Sequence, residues 1–476
     1  MKLVFIAAFV QLCLGLDMPI KIDLSKPAAI VDNNFLSLTL GSDALKFDFK
    51  HIDLDSEKLL SLAKGLTGHE NRAEFYFRIG GTAADHIEFE PTMYRFNATE
   101  FDELCKFSYD VRWKLIFDLN SLERKPDGSW DPTNAVELID YIIEKGYFVQ
   151  FELGNEPDLY PSHLNITIPP EQLAKDFYLL RLILNEKTRN QAMLVGPDVA
   201  TLDRYHYFGK FLSSVQENVL DAVTFHHYYS SSNNITTKNF TSVTYLDKFL
   251  GYCREALSII KSSFTKFPAP PVWIGETSST YGGGSRQVGE SFASGFVWLD
   301  KLGIAAQMNI SIVMRQSLKG GYYSLLDSHY NPNPDYWSSL LYKQLMGRTV
   351  LKITGYLESG REIRVYAHCV NRFSGRGYQP GSVILMALNI NPTEEARIYL
   401  QNDFKSLNAD QYLFTPANGR LTDNSVKLNG HVLKMVNDTV VPDLDPVRVK
   451  QPFILPALSY GYFVVIGSYA SACNVV

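Results

Sequence analysis

Up to about residue 316, short apolar runs alternate with longer segments in which apolar residues recur three and four positions apart. The first pattern predicts β-strands and the second predicts α-helices, so their order is that of a parallel α/β fold. Eight strand-then-helix units are the number that closes a (β/α)8 TIM barrel. The eight predicted strands are Phe35–Leu40, Glu74–Arg78, Leu115–Asn120, Val149–Leu153, Met193–Val199, Ala222–Tyr228, Val272–Gly275 and Ile310–Gln316.

After a helical segment around Trp337–Leu345, the pattern changes to short alternating runs that are separated by turn residues. Alternation with a period of two predicts strands with one buried face, as in a C-terminal antiparallel β-sandwich. The early run Ile20–Leu24 is predicted to add an edge strand to this sandwich. The other predicted sandwich strands are Glu362–His368, Ser382–Leu388, Ala396–Tyr399, Gln411–Phe414 and Tyr460–Ile466.

The first segment consists of Lys2 followed by the apolar run Leu3–Leu16. This run is shorter than the roughly 20 residues that cross a bilayer, so it predicts a secretory signal rather than a membrane anchor. No later stretch of the sequence is long and apolar enough to span. We therefore predict a signal peptide over 1–16, a strand that joins the sandwich over 17–34, a barrel over 35–345 and a β-sandwich domain over 346–476.

Six Asn-X-Ser/Thr sequons support passage through the secretory route. One of them, Asn309, precedes a strongly apolar strand and is expected to be too crowded to carry a sugar. Together with the signal, the sequons predict a protein that is secreted or held in the secretory or lysosomal lumen. The five predicted glycosylation sites are Asn97, Asn165, Asn234, Asn239 and Asn437.

Four cysteines remain after the predicted signal, and this even number fits an oxidising compartment. Cys473 lies among the last residues, where a tail frays unless it is fixed, so our first prediction is a Cys369–Cys473 disulfide that closes the C-terminal domain. Cys105 and Cys253 either pair with each other or stay as buried thiols, and the sequence leaves both alternatives open.

The composition narrows the function classes. A chain of 476 residues with 46% hydrophobic residues can bury a large core. The net charge of -6 argues against a nucleic-acid partner, which requires a concentrated basic face. We expect a monomer that uses no cofactor and binds no nucleic acid.

Polar residues collect where the predicted barrel strands end, and this is the face on which a (β/α)8 barrel carries its active site. Asn155, Glu156 and Pro157 follow strand four. The Asn side chain can hydrogen-bond a sugar hydroxyl, the Glu can protonate a glycosidic oxygen, and the Pro fixes the loop beyond them. A helix N-terminus with a surface glutamate is the alternative for this tripeptide.

A second glutamate, Glu276, ends strand seven and faces Glu156 across the predicted barrel mouth. Two carboxyl groups roughly 5–5.5 Å apart perform retaining glycoside hydrolysis, in which one attacks the sugar and the other donates and later removes a proton. A buried glutamate paired with an arginine is the alternative for Glu276 alone. The pair predicts Glu156 as acid/base and Glu276 as nucleophile.

Other strand ends supply supporting residues. Arg78 could hydrogen-bond Glu276 and keep it ionised. Alternatively, Arg78 could form a salt bridge at the barrel mouth that has only a structural role. Tyr228 is placed to bond the nucleophile or the sugar, and His226 should share its face while His227 points into the helix layer. A zinc site on the two histidines is not expected, because no third ligand of suitable spacing accompanies them.

Long motifs in a fixed order resemble heparanase and the leech-type hyaluronidases over nearly the whole chain after the predicted signal. RIGGT, ELGNEP and TFHHYY carry part of this resemblance, as does the Tyr-Gly-Tyr-Phe-Val-Val segment near the end. The longer motifs are WIGETSSTYGGG (Trp273–Gly284), FASGFVWLDKLG (Phe292–Gly303), VMRQ (Val313–Gln316), PDYWSSLLYKQLMG (Pro334–Gly347) and SVKLNGHVLKMV (Ser425–Val436).

The resemblance implies a (β/α)8 barrel with a β-sandwich and an endo-β-glucuronidase activity on a glycosaminoglycan polysaccharide. It also implies that Tyr228, Gly321 and Tyr323 contact the glucuronate at the cleavage site. Glycines of the stretch Gly320–Tyr323 could free backbone amides for the uronate carboxylate, although a glycine-rich turn fits this stretch as well. Further substrate-binding candidates are Asn155, Thr82, Asn120, His226 and Gln316.

Two departures from the family concern sugar recognition. The stretch after strand five, from Ala200 to His206, has one arginine at a place where the resemblance to heparanase implies a cluster of basic residues. With fewer basic side chains, fewer sulfate groups of a substrate can be paired. Gly41 stands where the family tends to place an aspartate. Heparan sulfate is the preferred substrate in this interpretation, hyaluronan is the alternative, and a non-catalytic glycosaminoglycan-binding homologue is the rival of a different class.

Overall fold

The computed structural model describes residues 15–46, 51–67, 75–89, 95–355, 360–373, 375–401 and 404–474. Most of the predicted signal peptide therefore lies outside the described residues. Within the described ranges, no helix has the length and apolar character needed to cross a bilayer.

Eight parallel strands form one sheet, in the order 4-3-2-1-8-7-6-5, and a single bridge between Phe151 and Leu194 connects strands 4 and 5. The predicted barrel is confirmed, with strand ends shifted by two residues or fewer. We number the barrel strands in chain order. Their bounds are Leu36–Gly41, Tyr76–Gly80, Lys114–Leu119, Val149–Leu153, Val195–Val199, Ala222–His227, Val272–Thr277 and Ile312–Gln316.

Helices fill the connections between the barrel strands, with a two-stranded pair, Glu88–Phe89 with Arg95–Phe96, between strands 2 and 3. The α-helices are Asp43–Lys46, Glu57–Thr67, Ala98–Val111, Thr133–Lys145, Tyr160–His163, Pro170–Thr188, Tyr207–Ser214, Thr237–Phe240, Val243–Ser263, Ser294–Gln307 and Pro334–Leu345. The short 3-10 helices are Ala84–His86, Pro157–Leu159, Arg204–His206 and Ser471–Asn474.

Side-chain alternation along the strands divides the barrel interior into two layers. Tyr76 and Ile116 belong to an apolar cluster to which strands 2, 3, 5, 6, 7 and 8 contribute. Two residues further along the same strands, Arg78 and Asp118 lie on the same inner face and are also buried. The apolar layer closes one end of the barrel, and the charged layer lies towards the carboxyl ends of the strands.

Two further sheets form a sandwich after the barrel. The nine-stranded sheet is antiparallel, and its strands are Ala29–Ile30, Met346–Leu351, Ile363–Val370, Val383–Asn389, Ser459–Val465, Ala409–Pro416, Val426–Leu428, His431–Val432 and Val447–Val449. The four-stranded sheet has the order Ile353–Thr354, Leu16–Ile22, Ala396–Leu400 and Phe453–Leu455.

The prediction of an edge strand at Ile20–Leu24 is wrong in position. The strand covers Leu16–Ile22 and lies inside its sheet, antiparallel to Ile353–Thr354 and parallel to Ala396–Leu400. Ile20 and Ile22 are buried in the core between the two sheets, which an interior strand achieves more fully than an edge strand. Parallel pairing is available here because no hairpin joins the strand to its partner.

The nine-stranded sheet has two buried faces. Val365 and Ala367 point into the core of the sandwich, whereas the alternate residue Tyr366 belongs to the core that the sheet shares with the barrel. The helix Ser294–Gln307 lies at this junction and is buried along almost its whole length. A Cβ atom on its Gly303 would overlap the ring of Tyr366, so the helix approaches the sheet at a distance that only glycine permits.

The predicted Cys369–Cys473 disulfide is present, with Cα atoms 5.5 Å apart. It fixes the last described residues to a central strand of the nine-stranded sheet. Cys105 and Cys253 do not pair and are both buried, which resolves the alternative that the sequence left open. Burial raises the pKa of both thiols, so they remain protonated.

The six sequon asparagines lie in surface turns and at helix ends. Asn97 begins the helix Ala98–Val111 and its side chain accepts from the Glu100 amide. Asn309 is exposed in the structure, so the expectation that it is too crowded for a sugar is wrong. The turn between the helix Ser294–Gln307 and strand 8 projects it outwards, although the strand that follows is buried.

We expect Gly303→Ala to lower the free energy of unfolding by about 1–3 kcal/mol, because the added methyl group overlaps the Tyr366 ring. The matched control is Gly251→Ala, at an exposed helix position with open space around it, which should leave stability unchanged or raise it by up to about 1 kcal/mol. Thermal unfolding midpoints at one scan rate measure both effects. Equal midpoints for the two variants would contradict the close approach.

Candidate active site

Arg78 lies at the centre of the barrel mouth and is fully buried. Its Nε donates to Glu152 Oε2 at 2.5 Å, Nη1 donates to Glu276 Oε2 at 3.0 Å, and Nη2 donates to Asn155 Oδ1 at 3.0 Å. Asp118 Oδ2 lies 3.5 Å from Nη2. Burying a guanidinium is tolerable only with such a complete set of acceptors, so the side chains of strands 2, 3, 4 and 7 are held in one arrangement.

Glu276 is the penultimate residue of strand 7 and its carboxylate is held from two sides. Arg78 binds Oε2, and the Tyr228 hydroxyl donates to Oε1 at 2.6 Å. Burial, and then the negative charge of Glu276, raise the pKa of Tyr228 well above its ordinary value, so the phenol stays protonated and able to donate. Hydrogen bonds of this kind fix the carboxylate in one orientation.

Glu156 lies in the loop after strand 4, at the start of the 3-10 helix Pro157–Leu159. Its backbone is left-handed, with φ 53° and ψ 52°, and its amide donates to the Asp198 carbonyl at 3.0 Å. Asp158 anchors the same loop, because its carboxylate accepts from the amides of Ala200 and Thr201 at 2.8 and 3.1 Å. The loops after strands 4 and 5 therefore hold Glu156 jointly, and its strained backbone turns the side chain into the barrel mouth.

His226 connects Glu156 to a buried carboxylate. Its Nδ1 lies 2.9 Å from Glu156 Oε1 and its Nε2 lies 3.2 Å from Asp198 Oδ1. Burial alone would lower the pKa of His226, but the charge of Glu276 and the hydrogen bonds to Asp198 and Glu156 raise it to about 10. The imidazole is therefore a cation at neutral pH and donates through both nitrogens.

The alternation predicted for strand 6 is observed. His226 faces the two glutamates, whereas His227 packs on Phe249 and Tyr252 of the helix Val243–Ser263, with ring centroids 4.8 Å apart in both pairs. Burial lowers the pKa of His227 well below its ordinary value, so it is neutral.

The structure brings Glu156 and Glu276 together. One oxygen of each carboxylate and one nitrogen of His226 all lie within 4.8 Å of one another. The sequence argument that no third metal ligand accompanies His226 is therefore incomplete, because the two glutamates are neighbours in space. A protonated imidazole has no lone pair to offer a metal, however, so this trio suits hydrogen bonding to carboxylates better than metal coordination.

Asn155 is fixed through its backbone as well as its side chain. Its amide lies 3.3 Å from the carboxylate of Asp85, which also accepts from the Tyr160 hydroxyl at 2.6 Å. Burial raises the pKa of Asp85 to about 7. The side-chain oxygen of Asn155 already accepts from Arg78. The side-chain nitrogen of Asn155 is therefore the group that remains to donate to a ligand.

The loop after strand 8 forms one wall of the mouth. Tyr323 lies next to Tyr228, with ring centroids 6.3 Å apart, and the Gln316 side chain bonds Thr39. Gly321 has φ 74°, and a Cβ atom there would press on the Tyr323 ring at 2.8 Å. The Tyr322 amide donates to the Gly283 carbonyl at 2.6 Å, so it is not available to a uronate carboxylate as the stretch Gly320–Tyr323 had suggested.

Two predicted substrate-binding residues lie at the edge of this arrangement. Thr82 is exposed in the turn after strand 2. Asn120 uses its side-chain oxygen to accept from the Leu122 amide at 2.8 Å and so shapes its own loop. The structure gives neither a contact with Glu156 or Glu276, and their proposed contacts with substrate remain predictions.

Sequence reasoning assigned no role to three buried acids of the mouth. Asp198 binds His226, and Glu152 and Asp118 lie against Arg78. Burial raises the pKa of Glu152 to about 8 and that of Asp118 well above its ordinary value. The signal that could have found Asp118 is the alternation of strand 3, which places it on the same inner face as the apolar residue Ile116.

Comparison with known proteins agrees with this geometry. Residues 82–303 match the N-terminal domain of glycosyl hydrolase family 79. The chain is 33% identical to heparanase of Bos taurus, over 94% of this chain and 91% of the relative. It is 32% identical to hyaluronoglucuronidase of Hirudo nipponia, over 89% and 92%. Inactive heparanase-2 of Homo sapiens is also 32% identical, over 79% and 65%.

Solved structures support the fold. A 4-O-α-L-rhamnosyl-β-D-glucuronidase from Fusarium oxysporum superposes with a TM-score of 0.67 at 13% identity, covering 94% of this chain and 100% of the other. A family 51 arabinofuranosidase from Xanthomonas axonopodis superposes with a TM-score of 0.66 at 12% identity, covering 94% and 99%. With the two glutamates placed at the mouth of this barrel and relatives above 30% identity along most of its length, the chain belongs to the heparanase family within glycosyl hydrolase family 79.

Proposed function

We propose that the protein is a retaining endo-β-D-glucuronidase that cleaves internal glucuronidic bonds of an extracellular glycosaminoglycan, with Glu156 as acid/base and Glu276 as nucleophile. The observation that carries the proposal is the separation of the two glutamates, whose nearest oxygens lie within 4.8 Å. Retaining enzymes hold their carboxyl groups about 5–5.5 Å apart, whereas inverting enzymes leave roughly 6.5–9.5 Å for a water molecule.

The surroundings of Glu276 suit a nucleophile. Arg78 and Tyr228 hold one oxygen each, which orients the carboxylate for attack on the anomeric carbon. As the bond to the sugar forms, the carboxylate loses negative charge and its hydrogen bonds weaken. When water later displaces the enzyme, the same donors stabilise the departing carboxylate.

The surroundings of Glu156 suit a group that changes its protonation state. In the first step Glu156 protonates the glycosidic oxygen as the leaving sugar departs, and the resulting carboxylate lies 2.9 Å from the cationic ring of His226. In the second step Glu156 takes a proton from the attacking water. His226 therefore stabilises the charged form that Glu156 adopts between the two steps, and Asp198 holds the ring in place.

A uronate ring between the glutamates would lie against Tyr228, Tyr323 and Gly321. The Tyr323 hydroxyl and the side-chain amide of Asn155 supply neutral donors there, while the Tyr228 hydroxyl donates to Glu276. Asn155 is placed for the 2-hydroxyl, whose hydrogen bonds strengthen in the transition state of glycoside hydrolysis. This arrangement supports glucuronate as the cleaved sugar.

Heparan sulfate remains the preferred polymer and hyaluronan the alternative, since both carry glucuronate. The loop after strand 5 has Arg204 as its one arginine, and this side chain lies 3.4 Å from Ser162. Arg286 lies over the ring of Tyr322, 5.8 Å from its centroid, next to the loop of Gly321. These cations offer a sulfated chain a few charge-assisted contacts rather than a dense basic surface.

A non-catalytic glycosaminoglycan-binding role is the rival proposal, since inactive relatives belong to the same family. Both glutamates, with the Arg78, Tyr228 and His226 contacts that orient them, favour catalysis. The predicted signal peptide and the sequons favour secretion, and we propose the extracellular space or a secretory or lysosomal lumen as the site of action of a monomeric enzyme.

We expect the purified protein to shorten heparan sulfate, hyaluronan or both, and every new reducing end should be a glucuronate. Fragment sizing with identification of the end sugar measures this. Proton NMR of the first product should show the β anomer, because two displacements retain the configuration. N-acetylglucosamine at the new ends, or a first product with the α anomer, would contradict the proposal.

We expect Glu276→Gln to abolish turnover of every substrate. Glu156→Gln should lower turnover of the polymer by about 10²–10⁴-fold, since the leaving sugar needs a proton. An aryl glucuronide with an acidic phenol needs no such proton, so bond cleavage in this substrate should survive in Glu156→Gln alone. Glu217→Gln, an exposed glutamate far from the mouth, is the matched control and should keep the normal rate. Near-normal polymer turnover in either variant removes that residue from its role.

The titration of His226 predicts a pH dependence of stability. Its pKa in the folded protein is about 10 and its ordinary value is 6.5, so its contribution to stability is complete below pH 6.5 and is lost as the pH rises to about 10. Gln in its place binds no proton. Between these pH values the unfolding midpoint of the wild type should therefore fall more steeply than that of His226→Gln. Parallel slopes would mean that the ring is not a cation in the folded protein.

A further inference from the structure

A cavity of roughly 660 Å³ opens between the loops after strands 1 and 8, beside the catalytic glutamates. Tyr323 and Gly321 line it, and Tyr323 lies against Tyr228, which bonds Glu276. The cavity is therefore continuous with the position proposed for the uronate, and its volume is that of a small-molecule site.

The direction of the polymer across the site follows from the position of the acid. Glu156 lies in the loop after strand 4 and protonates the oxygen of the departing sugar, so the departing part of the chain occupies the side of strands 4 and 5. Strands 1 and 8 lie on the opposite side of the barrel sheet from strand 4. A sugar in the cavity is then the residue that precedes the cleaved uronate, on its non-reducing side.

The wall of this cavity carries an acid in an unusual place. Gly41 has no side chain, and Asp43 Oδ1 lies where a Cβ atom of residue 41 would be. The Asp43 carboxylate is thus folded over the end of strand 1 and faces the cavity with Tyr323, whose phenol pKa is raised mainly by burial and also by the charges of Glu276 and Asp43.

Acids outnumber bases among the described residues of this lining. Glu290 and Asp327 accompany Asp43, and the basic residues are Lys319 and His51. The Lys319 ammonium is engaged, since it donates to the His51 carbonyl and lies over the Tyr330 ring, 5.0 Å from its centroid. The field that these described residues produce in the cavity is therefore unfavourable to a further negative charge.

We propose that Asp43 restricts this cavity, where the amino sugar before the cleaved glucuronate would lie, to a sugar without a sulfo group. The inference rests on the proposed function. An acetamido N–H or a hydroxyl can donate to the Asp43 carboxylate, whereas a sulfo group offers only acceptors and a like charge. The enzyme then cuts hyaluronan or the N-acetylated stretches of heparan sulfate and spares N-sulfated stretches.

The test uses two oligosaccharides that differ in one group, an N-acetyl or an N-sulfo substituent on the glucosamine before the scissile glucuronate. The wild type should cleave the N-acetyl form roughly tenfold faster or more in kcat/KM, since like charges brought together are strongly disfavoured. The difference should lie mainly in KM and should shrink at high ionic strength, which screens repulsion. Asp43→Asn keeps the shape of the side chain and removes its charge. This variant should reduce the preference for the N-acetyl form over the N-sulfo form by about the same tenfold factor.

The matched control is Asp203→Asn, which removes an exposed aspartate of the loop after strand 5 and should leave the preference unchanged. Equal or faster cleavage of the N-sulfo form by the wild type overturns the inference, and so does a preference that persists in Asp43→Asn. Cleavage of neither oligosaccharide would instead count against the proposed function itself. The two failures are therefore distinguishable.

Discussion

The barrel mouth depends on one buried cation. Arg78 has no access to solvent, and a guanidinium in that position must be surrounded by acceptors or the fold loses several kcal/mol. Its donors reach Glu152 on strand 4, Asn155 in the loop directly after that strand, and Glu276 on the distant strand 7. The requirement that stabilises the arginine therefore also fixes Glu276 and the residue beside Glu156, so that stability and preorganisation have the same origin.

A second cation, His226, does for Glu156 what Arg78 does for Glu276. Both positive charges are buried among carboxylates, so neither is free to bind an anionic substrate. Recognition of the proposed uronate therefore falls to neutral donors such as the Tyr323 hydroxyl and the side-chain amide of Asn155. The proposed action on a polyanion is thus compatible with the net charge of -6, since the buried charges orient the glutamates and neutral dipoles bind the sugar.

The barrel and its two central glutamates could be predicted from the sequence, because the apolar pattern of barrel strands and the position of barrel active sites both follow strict rules. Apolar runs with helical segments between them predicted the barrel strands to within two residues, and the rule that barrels act at strand ends predicted Glu156 and Glu276. The interior position of Leu16–Ile22 was missed, because it depends on pairing with residues almost 400 positions away. The His226–Asp198 contact was also missed, since it requires the left-handed backbone at Asp198 and the register of strands 5 and 6. Exposure of Asn309 depends on a turn whose direction no apolar pattern encodes.

The junction at Gly303 has a consequence for the chain as a unit. The sheet that covers the helix Ser294–Gln307 shares one core with the barrel, to which it contributes Tyr366, Tyr460 and Tyr462. A barrel excised after Leu345 would expose this aromatic face to water, and free copies of it would aggregate through it. The catalytic half and its β-sandwich are therefore one folding unit, and any smaller, soluble version of the enzyme would need that face redesigned with polar side chains.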